Sequence, residues 1–105
     1  MTVEEKMGTL NVKMLELERE LGSMKSGMEL TKDHLDKLND YHIEHSNLHT
    51  EYHEKTTEQE RDDSGYYGYF LARVLCLDKV FKDLMLRSDE EVFEHVKQMA
   101  LSSED

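Results

Sequence analysis

From Val3 to about Gln59, apolar or histidine side chains recur in alternating steps of four and three: Val3, Met7, Leu10, Met14, Leu17, Leu21, Met24, Met28, Thr31, Leu35, Leu38, His42, His45, His49 and Tyr52. This is a heptad seam. Met7, Met14, Leu21, Met28, Leu35, His42 and His49 take a, and Val3, Leu10, Leu17, Met24, Thr31, Leu38, His45 and Tyr52 take d. The repeat outlasts an ordinary globular helix, and a stripe so narrow needs a second strand to bury it. The pattern predicts an all-α chain whose residues 1–60 form one long N-terminal helix in a coiled coil. Its expected oligomer interface is Met7, Leu10, Met14, Leu17, Leu21, Met24, Met28, Leu35, Leu38, His42, His45, His49 and Tyr52.

The flanks of the seam favour a parallel, in-register homodimer. In that arrangement Lys13 meets Glu18, Glu20 meets Lys25 and Lys55 meets Glu60, and no pair is like-charged. Such exposed pairs contribute only about 0.2–1 kcal/mol each, so they select register more than they stabilise. The difficult stretch is Gly22–Gly27. Two glycines in a helix cost roughly 1 kcal/mol each, and Ser26 with Glu29 spells a capping box. The competing reading therefore ends one helix at Gly22, restarts at Ser26 and folds 3–21 back on 28–60, satisfying the seam within one chain. The continuous helix is preferred because Leu21, Met24 and Met28 hold the heptad phase across the glycines.

Beyond Leu38 the seam turns polar. Should Tyr41, His45, Leu48 and Tyr52 become the contact line, strict heptad phase is lost and the helices splay. A charged run ending in Ser64-Gly65 predicts a loop over 61–65. Residues 66–105 then read as a C-terminal two-helix hairpin, with helices over about 66–87 and 89–101 and a capping box at Ser88 and Glu91. The first of these two helices is apolar over more than half its circumference and needs cover on two sides, so its second side is expected to pack on a partner subunit or on the base of the coil. The candidate C-terminal core or docking residues are Tyr67, Phe70, Val74, Leu77, Phe81, Leu84, Val92, Phe93 and Val96, with Phe81 and Phe93 facing each other across the turn.

Composition narrows the function. The chain of 105 residues is 35% charged and lacks proline, so nothing breaks helices by that route. Its net charge is −11, with eight basic and sixteen acidic residues in 1–63 against five and eight in 64–105. No basic stripe exists. Direct binding to nucleic acid or an anionic membrane is disfavoured, whereas a basic protein partner is allowed. The longest apolar run, Tyr66 to Leu77, is short for a bilayer and contains Arg73; with no signal-peptide pattern and a single cysteine, Cys76, a cytoplasmic location is expected.

The sharpest chemical signal is the series His42, His45, His49 and His53 on one helical face. Three readings compete: tolerated polar layers, a pH-sensitive layer, and a structural metal held by His45 and His49 of two chains. His-Glu-x-x-His and the Glu-x-x-His pairs of di-iron bundles are absent, so no catalytic or metal-ligating residue and no cofactor is assigned. Tyr66–Phe70 reads as an aromatic plug rather than a base-stacking platform, given its acidic surroundings. Ser64, Cys76 and Thr50 lack a context that would activate a nucleophile. The expected function is non-catalytic: an oligomeric coiled-coil interaction module or scaffold, with itself and another protein as partners and the C-terminal hairpin as docking head. The alternative is a small acidic inhibitor whose carboxylates mimic nucleic-acid phosphates and block the basic cleft of a nucleic-acid-binding enzyme.

Overall fold

The computed structural model describes residues 2–86 and 89–102, all of them helix or short connection. Five α-helices follow in order: α1 Val3–Gly22, α2 Lys32–Lys55, α3 Glu58–Asp63, α4 Gly65–Leu86 and α5 Glu90–Ser102, with a 3₁₀ turn at Gly27–Glu29 between the first two. No strand occurs among the described residues.

The single long helix is interrupted. Thr2 caps α1 by accepting from the Glu5 amide at 3.2 Å, with Glu4 and Glu5 on the positive end of the dipole. The helix stops where the glycines begin. Ser23 closes it, and Ser26 and Glu29 form the reciprocal capping box of the 3₁₀ turn. Thr31, counted in the seam, is instead the N-cap of α2. Its hydroxyl accepts from the His34 amide, and its own amide donates to His34 Nδ1 at 3.0 Å. Between these caps Leu30 is 2% exposed, so the crossover is pinned by an apolar plug as well as by hydrogen bonds. Two glycines and successive caps outweigh the continued phase of Met24 and Met28, of which Met28 ends half-exposed.

The chain consequently folds up, down and up. His34 meets Glu20 near the crossover, and Lys55 senses Glu4 at the far end, so α2 runs antiparallel to α1. Arg73 pairs with Glu18 at 3.1 Å and Tyr66 lies against Gly8, so α4 runs parallel to α1. Val3, Met7, Leu10, Met14, Leu17 and Leu21 are all buried and share one core with Leu48, Tyr52, Phe70, Leu77 and Leu84. The α1 seam is thus covered by α2 and α4 of the same chain.

Two further expectations change. The 61–65 loop is largely helical: Thr57 and Glu60 make a capping box for α3, and Arg61 bonds the Thr56 carbonyl at 2.7 Å, satisfying the acceptor end of α2. The bend is confined to Ser64, whose hydroxyl then accepts from the Tyr67 amide at the start of α4. The C-terminal pair is not a closed hairpin either: α5 packs chiefly on the 3₁₀ turn and α2. Its Val92 is buried, Val96 and Met99 lean on the core, and His95 donates to the Leu30 carbonyl at 3.3 Å. The physical reason is that α1 and α2 already occupy the buried side of α4, leaving the crossover as the open end of the core. Asp89 caps α5 by accepting from the Val92 amide at 3.3 Å; Ser88 lies outside the described residues.

Candidate functional site

The histidine series sits where α2 faces α4, and each ring is already committed across that contact. His42 Nε2 donates to Asp78 Oδ1 at 2.6 Å. His45, 8% exposed, donates from Nε2 to the Phe70 carbonyl at 3.1 Å and stacks on the Phe70 ring at 4.0 Å. His49 and His53 both reach the Tyr67 hydroxyl, at 3.0 and 2.6 Å, with their own rings 4.4 Å apart. A phenol carries one proton, so Tyr67 donates to one imidazole and accepts from the other. Burial holds the pKa of His45 below its ordinary value; the Phe70 carbonyl opposes this, while His49 and His42 add to it. Partial desolvation, followed by Arg61 and His49, also lowers His53.

Tyr41, His45, Leu48 and Tyr52 are the line that α2 turns inward, with Tyr41 only partly covered. His42 and His49 are half-buried beside it, and Leu35 and Leu38 flank its first half. With Nε2 of His45 and of His49 engaged by α4, the nitrogens expected to face a second chain point into this one. Among the described residues no group of three or more His, Cys, Asp or Glu side chains could hold a metal ion.

The C-terminal candidates divide. Phe70, Leu77 and Leu84 are fully buried, and Tyr67, Val74 and Phe81 pack partly against the core. Val92 and Val96 belong to the α5 contact, but Phe93 is half-exposed and sits apart from it. Cys76 is half-buried and unbridged.

No protein-family model, curated protein or solved structure matches this chain. Its own surface is therefore the guide. Two apolar features stand out there. One is the outward face of α4, where Leu75 and Leu86 are 67% and 69% exposed on the side opposite Phe70, Leu77 and Leu84. The other is a groove of about 390 Å³ between α1 and α4, lined by Gly8, Asn11, Val12, Leu15, Gly65, Tyr66 and Tyr69. The groove was missed by heptad counting because Val12 and Leu15 lie off the seam. Two unexplained apolar residues a turn apart, next to Gly8, were the available signal. Asn11 was missed for the same reason, and it is buried at 4% exposed. No described helix is long and apolar enough to cross a membrane.

Proposed function

We propose that the chain is a non-catalytic protein–protein interaction module that pairs with a second copy of itself. The observation that carries this is α4. It is the most apolar of the five helices, and α1 and α2 cover only two of its sides, leaving Leu75 and Leu86 in line on a third. Large apolar side chains aligned on one exposed face mark an association surface more than scattered ones do. Charge favours the same face. At −11 each, two copies repel, and most carboxylates lie on α1, α2 and α3, whereas Lys79 and Lys82 stand beside Leu75 and Leu86. Pairing through α4 keeps the acidic sides apart and lets the lysine stems cover the leucines. A helical dimer is thus retained from the heptad reading, with α4 in place of the N-terminal seam.

Sedimentation equilibrium tests the proposal. The wild type should run at twice the chain mass, and Leu75→Asp/Leu86→Asp at the chain mass with unchanged helicity, since both positions are open to water. A wild type that stays at the chain mass at high concentration, or a variant that stays dimeric, removes α4 as the interface.

A second reading rests on α2. Asp33, Asp36, Asp40, Glu44, Glu51 and Glu54 follow one another along one side of it, Glu44 and Glu51 partly covered and the others exposed, over about 31 Å at 1.5 Å per residue. Lys37 and Lys55 interrupt this line only through pairs with Asp33 and Glu51. Such a stripe suits the acidic-inhibitor function. Under that reading the protein should displace duplex DNA from a basic DNA-binding domain, and Asp40→Lys/Glu44→Lys/Glu51→Lys should abolish the displacement without altering mass. Absence of displacement by the wild type discards it.

A further inference from the structure

We propose that the groove between α1 and α4 receives a basic amphipathic helix of another protein, which seats one or two apolar side chains between Val12 and Tyr69. This extends the interaction-module reading, but it uses a different surface from the proposed self-pairing face. The groove exists because of what is missing from its walls. A Cβ on Gly65 would meet nothing within 4 Å, and one on Gly8 would meet the end of the Tyr66 side chain, its hydroxyl at 3.5 Å and a ring carbon at 3.9 Å, in ordinary contact. Above this floor stand Val12, Tyr66 and Tyr69, each about half-exposed, while Arg73 lies 5.3 Å from the Tyr69 ring centre and closes one end through its pair with Glu18. About 390 Å³ holds the anchor side chains of two successive helical turns, not a helix backbone.

The polar groups around the groove specify the charge of that helix. Asn11, in the wall, has an Oδ1 without a hydrogen-bond donor among the described residues. Glu5 and Glu16, seven residues before and four after Val12, share its exposed side of α1, and the exposed Asp62 and Asp63 end α3 just before Gly65. These are acceptors only, and ionised carboxylates attract cations. The lysines of α1 are turned away, Lys6 toward Glu51 of α2 and Lys13 seven residues on along the same side. Arg19, as far after Val12 as Glu5 is before it, is the one exposed cation on that side of α1, and Arg73 is engaged by Glu18. The acidic helices of a second copy would be repelled from this rim, and its lysine- and leucine-bearing α4 face is taken up in the proposed self-pairing, which leaves a lysine- or arginine-bearing helix of another protein as the complementary occupant.

The test uses a labelled synthetic peptide of about 18 residues, long enough to become helical when bound, with leucines at helical spacing and lysines elsewhere. One control replaces its lysines with glutamates and the other its leucines with serines. Anisotropy titration should show binding by the first peptide and neither control. Val12→Ser/Tyr69→Ser should weaken it by about tenfold or more, as loss of a central anchor site does. Glu5→Gln/Glu16→Gln, which leaves the apolar wall in place and keeps the size of both side chains, should weaken it less and flatten its salt dependence. No binding by the leucine–lysine peptide, equal binding by the serine control, or full affinity in both variants overturns the proposal. The mass of the wild type, measured alongside, reports on α4 self-pairing independently.

Discussion

Replacing Leu17 and Leu21 together with aspartate should unfold the chain at every protein concentration. Both side chains are essentially sealed from water in the core shared by α1, α2 and α4, at 2% and 1% exposed. Each aspartate removes a large apolar side chain, at about 2–5 kcal/mol, and leaves a carboxyl group with no partner in apolar surroundings. Small domains hold only about 5–15 kcal/mol in total, so two such changes exceed what this bundle can absorb. Far-UV circular dichroism should fall to that of an unfolded chain, and dilution or concentration should not restore it. An intermolecular seam gives a different outcome: wild-type helicity per chain with a lower mass. The double substitution therefore separates burial within one chain from burial between two.

That distinction is also where sequence reading reached its limit. The apolar line of α1 was legible residue by residue because a 3.6-residue period needs no knowledge of what covers it. The identity of the cover was not, since a seam looks the same whether the second helix belongs to a copy or to the same chain. The local signals that decide the matter were visible: Gly22, Gly27 and the Ser26–Glu29 box. The weak one was Thr31, whose place in the four-three count concealed that it caps α2 with His34 as the reciprocal partner, an unusual residue for that role. In α2 the drift to Tyr41, His45, Leu48 and Tyr52 follows from antiparallel packing against two helices, which shifts the inward line from the a and d positions to d and g. The destination of α5 was hidden for a different reason. Its apolar stripe states that it is covered on one side, and it goes to the crossover because α1 and α2 already fill the buried side of α4. The histidines expected to face a second chain lie instead at the α2–α4 contact, and their partners, Asp78, Tyr67 and the Phe70 carbonyl, come from a helix whose register no periodicity could supply.

The same contact should make the fold sensitive to mild acid. Burial lowers the pKa of His45 in the folded state, and partial desolvation lowers that of His53, so for both the unfolded chain takes up the proton first. The stability these groups contribute is fully present above the unfolded value of about 6.5 and is lost as pH falls through it toward the lower folded value. The facing groups make the sign plain at His45. From α2 it meets His42 and His49, which add repulsion once charged, and from α4 it meets the Phe70 carbonyl and, last in weight, Asp78, which oppose it. Thermal melts at about pH 7.5 and 5.5 should therefore show the wild type losing stability in acid, each kcal/mol lowering Tm by about 4–8 °C in a domain of about 100 residues. His45→Gln keeps a donor for the Phe70 carbonyl but cannot titrate, so it should be less stable than wild type at neutral pH and lose distinctly less on acidification. If the wild type loses no more than His45→Gln between the two pH values, the imidazole at 45 is not the neutral, buried group that couples this fold to protons.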